Sequence, residues 1–171
     1  MSYKAYLTAE NLIQGSAKVP GHERWVTLIF KSPTVIETPV QKQTSGDKQA
    51  QQPNFRPIST KTQLEVDLIH SFTALWSGKP LGTVTIDVVG AQGESAELTE
   101  QTKITNGYVS FVAFSWRAER EKKEGNGGVT TVEYVGTAIS ASYIARGDNQ
   151  QKTGQYDAKV SRLHQQAAAG S

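Results

Sequence analysis

Apolar and polar positions alternate with period two along most of this chain, and only one stretch carries the period of a helix. YKAYLTA (Tyr3 to Ala9) is short and rich in strand formers. ERWVTLIF (Glu23 to Phe30) predicts a strand with Trp25, Thr27 and Ile29 on one face and Val26, Leu28 and Phe30 on the other. Both faces are largely apolar, which predicts cover on both sides. LGTVTIDVVGA (Leu81 to Ala91) alternates cleanly. AELTEQTKIT is weaker, a strand or an irregular crossover. GYVSFVAFSWRAE sets Tyr108, Val112, Phe114 and Trp116 opposite Val109, Phe111 and Ala113. VTTVEYVGTAISASYIA (Val129 to Ala145) reads as a long strand that bends near Gly136. The charged, glycine-ended turn RAEREKKEGNGG joins these last two segments into a hairpin. A short strand around Tyr156 to Val160 ends the pattern.

The helical stretch begins at Asp67. Leu68, Phe72, Leu75 and Trp76 recur at helical spacing, Asp67 is placed to act as N-cap, and Gly78 with Pro80 ends the run. This predicts one helix over about Leu68 to Ser77. Between the early strand and this helix, Ser32 to Lys61 holds four prolines and many Gln, Lys, Ser and Thr residues. TVIETPV fits a brief edge pairing, and the remainder reads as a long polar loop, a feature that compact domains keep for a purpose. The whole is mostly β, with seven or eight strands and one helix, and suggests a barrel or a sandwich. Residues 1–163 form a single domain, and 164–171 a polar, low-complexity tail ending in AAAGS.

Composition narrows the function classes. The length of 171 residues fits one domain. Apolar residues make up 37%, a low share that suits a loop-rich β protein or a subunit that completes its burial in an assembly. Eighteen basic and 16 acidic residues leave a net charge of +2, too balanced to indicate nucleic acid or an anionic membrane. Cysteine is absent, which excludes disulfides, thiolate chemistry and cysteine-ligated zinc. MSYKAYLTAENLIQG lacks the apolar region of a signal peptide, and no stretch approaches the ~20 apolar residues of a spanning helix. The expectation is synthesis and assembly in the cytoplasm, with any export independent of a cleaved signal.

Candidate chemistry is sparse. His22 beside Glu23, at a strand entry, has the composition of a general base and its partner, but His22, His70 and His164 lie far apart and form no metal-binding spacing. His70 stands three residues from Asp67, which fits a helical ion pair or cap. Gly125 to Gly128 (GNGG) lacks a P-loop lysine and precedes a strand, so it reads as a turn. Arg146 to Asp148 (RGD) matches an adhesion tripeptide, but a three-residue match in a polar loop is explained by chance. Arg117 to Glu124 mixes both signs, either a solvated hairpin tip or a salt-bridging contact between subunits. Trp25, Trp76 and Trp116 lie inside apolar patterns and read as core residues rather than sugar platforms. No catalytic, cofactor-binding or metal-binding residues are assigned, and no cofactor is expected.

The order of parts is informative beyond any single motif. Gly15-Ser16, Gly21-His22-Glu23, Asp67, Ser77-Gly78-Lys79, Glu133, Tyr143 and Gly154-Gln155-Tyr156-Asp157 follow one another across nearly the whole chain. In that order they resemble the haemolysin-coregulated protein (Hcp) family, the tube-forming protein of the bacterial type VI secretion system. The loop from Ser32 to Lys61 departs from the family in lacking a glycine-rich run. The resemblance implies an antiparallel β-barrel with a flanking helix and long polar loops. It also implies hexameric rings stacked into a hollow tube that contacts sheath and spike proteins, carries effectors in its lumen and is secreted, with no catalysis, nucleic acid or membrane insertion. A related phage-tail tube protein, or a non-enzymatic β-sandwich module for carbohydrate binding or adhesion, fits the residue pattern as well. A hydrolase with a site at His22 and Glu23 is a further alternative.

Overall fold

A computed structural model describes residues 2–37, 40–42, 48–50, 54–92, 95–116, 128–147 and 151–161. The turn at Arg117 to Glu124, Asp148 of the RGD tripeptide, His164 and the AAAGS tail lie outside them. Two sheets share one strand. In the first, β1 (Ser2–Ala9) pairs with β2 (Val26–Leu28) on one side and β9 (Gly82–Gln92) on the other. β9 pairs with the first half of β10 (Ser95–Trp116), which pairs in turn with β12 (Ala138–Arg146) and, through it, β13 (Lys152–Ser161). In the second, the last part of β10 pairs with β11 (Gly128–Val135), followed by β8 (Ile58–Gln63) and β3 (Phe30–Lys31). Every pairing is antiparallel. The core lies between the sheets: Leu7, Val84, Ile86, Ile104 and Ile139 from the first pack with Ile58, Val132 and Tyr134 from the second.

The sheets do not close into the expected barrel. The strand expected over Glu23 to Phe30 breaks at Ile29 into β2, on the first sheet, and β3, on the second. Expected two-sided cover of this segment also fails, because Val26 and Leu28 are buried while Ile29 and Phe30 are largely exposed. Two further segments join or divide against expectation. AELTEQTKIT is neither weak nor separate: it is the first half of β10, which runs on through Asn106, with φ 50°, and Gly107. The long strand from Val129 instead divides at Gly136, where a Cβ would stand 2.5 Å from Ile104 Cγ2 and closer still to the Thr105 carbonyl oxygen. Only glycine fits so close to the neighbouring strand. A bulge between Val109 and Phe111 also shifts the facing by one residue, so Val109 joins Val112 against the core.

Much of the expected long loop is strand. β4 (Ile36–Glu37) pairs with β7 (Asn54–Phe55), and β5 (Val40–Lys42) with β6 (Lys48–Ala50), so the segment folds back on itself as a hairpin arm. β8 was hidden by composition: its inward positions are Ile58, Thr60 and Thr62, and two threonines mask an alternation that is otherwise regular.

Helix α1 spans Asp67–Ser77 and ends at Gly78 in the left-handed region, as its glycine predicts. Asp67 is the first helical residue rather than the N-cap, a place taken by Val66 without a side-chain cap. The helix is turned opposite to its apolar stripe. Asp67, Ser71 and Ala74 face inward, while Ile69, Phe72, Leu75 and Trp76 are exposed, Trp76 at 95%. Trp116 is also exposed, so neither tryptophan is the core residue that the pattern predicts. Small inward side chains let the helix backbone approach the sheet, and Thr62 Oγ1 donates to Asp67 Oδ2 at 3.0 Å.

Burial pushes the Asp67 carboxyl up from its ordinary 3.8 to about 6, with the Glu65 charge adding to the rise and the Thr62 hydrogen bond opposing it. The folded state therefore holds a proton that the unfolded chain has released, and stability falls as pH rises from about 4 to 6. Asp67→Asn removes the charge without the bulk. We expect it to raise stability at pH 8 by up to about 3 kcal/mol and to have little effect near pH 4. Urea unfolding at the two pH values measures this, and an equal shift at both would contradict it.

Candidate functional site

His22 reaches its position through backbone geometry. Gly15 N–H donates to the Arg24 carbonyl, Arg24 N–H to Ala17, and Ala17 N–H to Trp25, a short ladder that brings the chain into β2. Gly21 at φ 82° and Arg24 at φ 64° turn the backbone between its two sides, and His22 N–H donates to the Val19 carbonyl. Gly15 has no room for a side chain: a Cβ would lie 2.6 Å from Val26 Cα. The imidazole is thereby laid over the first sheet, stacked on Tyr6 at 4.9 Å between centroids and met edge-on by Trp25 at 4.7 Å.

The partner of His22 is Asp87, 65 residues away on β9, with Nε2 and Oδ2 2.9 Å apart. Gln101 Nε2 donates to the other Asp87 oxygen, also at 2.9 Å. Glu23, the neighbour in sequence, is exposed and plays no part. Both oxygens of Asp87 are occupied, and His22 Nδ1 is buried without a partner. A general base needs a nitrogen that substrate can reach. This one is closed in by two aromatic rings and its own strand entry. The cluster is a strut that pins the β2 entry to the sheet.

His70 and Asp67 likewise take separate partners. His70 Nδ1 lies 3.3 Å from the backbone of Gln14, while Asp67 bonds to Thr62, so the expected pair on the helix is replaced by two tethers. Ser16 Oγ donates to Glu65 Oε2 at 2.6 Å, a second link from the same loop to the helix start. Arg146 pairs with Glu97 and donates to the Leu98 carbonyl, which places the first residue of the RGD tripeptide in a structural contact. Among the described residues no group of three or more His, Cys, Asp or Glu side chains is arranged to hold a metal ion, and no helix is long and apolar enough to cross a membrane.

What sequence reasoning missed is the face on which His22 sits. Tyr6, Asp87, Gln101, Ser142 and Asp157 are register neighbours in one row across five strands. The next row is Thr8, Thr85, Lys103, Ser140 and Lys159. The outward side of this sheet is thus a polar surface of hydroxyls, amides and charges. It forms an open groove of about 590 Å³ along the second row, with Glu10 and Lys159 among its walls. Ser142 and Gln155 hydrogen bonds hold the exposed Asp157 carboxyl below its usual range. The signal was present as alternation: Thr83, Thr85 and Asp87 are the polar half of LGTVTIDVVGA. Only strand order, which periodicity does not give, assembles them into a surface.

Comparison with known proteins agrees with this architecture. The type VI secretion system effector Hcp family model matches residues 6–143. A solved structure described as a type six secretion system protein superposes with a TM-score of 0.81 at 12% identity, covering 95% of this chain and 98% of that one. Hcp1 from Salmonella typhimurium superposes with a TM-score of 0.75 at 13% identity, over 96% and 97% of the two chains. The secreted protein Hcp3 from Pseudomonas aeruginosa gives 0.65 at 11%, over 94% and 98%. No curated protein sequence matches. The structures carry the fold and the family model carries membership: matched over 138 of its 171 residues, the chain belongs to the Hcp family of type VI secretion system effectors.

Proposed function

We propose that this chain is a structural subunit of a type VI secretion tube, in which six copies close into a ring and rings stack around a continuous lumen. The observation that carries the reading is the family match over residues 6–143, which spans the strands from β1 through most of β12. Three structural features support it. The sheets are left open, and β13 presents ten residues with no further strand paired to it among the described residues. An unpaired edge of that length is normally blocked, and a neighbouring subunit is one way to block it. The polar face of the first sheet exposes hydroxyls and paired signs of charge rather than apolar patches, the character of a wall that passes cargo without holding it. The hairpin arm from β4 to β7 folds back on itself outside the two sheets, and we assign it to contact with an adjacent ring. Contacts in a closed ring are heterologous, so each subunit needs two different surfaces.

In this reading residues 1–163 act as one unit. Assembly takes place in the bacterial cytoplasm, the assembled protein is secreted, and sheath, spike and effector proteins are the partners. The protein performs no catalysis, and His22 is a positioning residue for the β2 entry.

Negative-stain imaging of the purified chain tests the ring: annular particles with a central hole are expected, and a strict monomer at high concentration would refute the reading. Deleting Thr44 to Gln52, at the end of the arm, should leave single rings intact and abolish their stacking; unchanged stacks would remove the arm from ring-to-ring contact. Replacing His22 by Ala leaves Asp87 Oδ2 without its partner, while Gln101 still holds Oδ1. A loss of about 1–3 kcal/mol in urea unfolding is expected, and the discovery of an enzymatic activity that vanishes in this variant would overturn the structural assignment.

A further inference from the structure

The helix leaves outside what a helix ordinarily buries. Ile69 is 64% exposed and Trp76 95%, with the partly exposed Phe72 between them at spacings of three and four residues, so the three form one stripe. Phe72 meets Phe114 of β10 edge-on, with centroids 6.3 Å apart, which extends the stripe onto the second sheet. With full aromatic side chains contributing about 150–250 Å² each, the exposed parts of these residues and Trp116 come to about 600 Å² of apolar surface. That is at the upper end of the largest patch on an ordinary monomer, about 300–600 Å². It approaches the ~800 Å² that each partner contributes to a stable interface.

A second surface on the chain is incomplete in the same way. Ile139 and Val160 are register partners on β12 and β13 and pack against the core. Four residues further along β12, on the same face by alternation, Tyr143 and Tyr156 are register partners as well, but both are more than half exposed. Ala158, between Val160 and Tyr156 on that face, is exposed too. The inner side of the sheet thus runs on past its own core, with two aromatic rings that are each more than half open in the single chain.

We infer that the apolar face of α1 in one copy is covered by the Tyr143–Tyr156 side of the β12–β13 hairpin of a second copy. The inference rests on the ring reading and names the two unlike surfaces that such a ring must bring together. The first is apolar and the second aromatic, with Glu100 beside Tyr143 already paired to Lys31, and each lies on a regular element whose backbone is already fixed, so joining them orders little that was free.

The chain has no cysteine, which makes the test direct. Thr73, on the exposed side of α1, and Ala158, beside Tyr156, are replaced by Cys in separate chains and in one chain together. The assembled protein is then treated with a short bis-maleimide and run under denaturing conditions. Cross-linked dimers are expected from the equal mixture of T73C and A158C, and a ladder up to the closed ring from the double variant, with neither single variant cross-linking to itself. Trp76→Glu should weaken assembly by about ten-fold or more, as read by mass photometry, with circular dichroism unchanged and with melting unchanged at dilutions where both proteins are single copies, because the side chain is free there. If the wild type forms rings while W76E assembles equally well, this inference falls and the ring reading stands. Loss of assembly in W76E without cross-linking of the mixture overturns the hairpin as the covering element. A wild type that is monomeric at every concentration removes both readings.

Discussion

The contact on which the arrangement depends is the polar seam beneath α1. A carboxylate at the first turn of the helix is taken into the interior and held by Thr62, with Ser71 continuing the seam and Ala74 packing into the apolar core beyond it. Burying that carboxyl is unfavourable, as its raised proton affinity records. The return is close approach: small side chains bring the helix backbone onto the second sheet. Once that side faces in, the helix has no choice about the other. Ile69, Phe72 and Trp76 must face outward, because residues three and four apart share a side and the inward side is taken. The apolar exterior follows from the polar interior.

The same constraint explains which parts of the fold were legible in the sequence. Helix length and its glycine stop were legible, because capping and periodicity are local. Helix orientation was not: the apolar stripe from Leu68 to Trp76 argues for an inward face, and the opposite is found. Periodicity reports that a helix has two sides, and burial in an isolated domain is only one way to use the apolar one. β8 escaped notice for a related reason, since Thr60 and Thr62 fill core positions with polar atoms, the Thr60 hydroxyl donating to the Val132 carbonyl at 3.1 Å. At Val109 the alternation was visible, but the bulge that shifts it was not.

The candidate site divides in the same way. The turn at Gly15 and Pro20-Gly21 was readable as the mouth of a strand, and the weakness of His22 and Glu23 as a catalytic pair followed from the absence of other ligands. Asp87 was out of reach. Its pairing with His22 requires β1 to lie beside β9, and no local pattern gives that adjacency. Relatives that share 12–13% of their residues with this chain keep the fold. A shared fold at that identity is possible because strand alternation asks only for an apolar or polar residue at each position, which many residue types satisfy.

β10 has a mechanical meaning. Its 22 residues run without interruption from the first sheet into the second, a span of about 70 Å if fully extended. The two sheets are therefore not separate plates glued by side chains. A load applied along this strand passes from one to the other through covalent bonds, and sliding the sheets apart requires tearing a ladder on one side or straightening the bend at Asn106 and Gly107. Oily contacts yield gradually under shear, whereas rows of backbone hydrogen bonds loaded along the strand resist together. The chain is built with a stave through its middle.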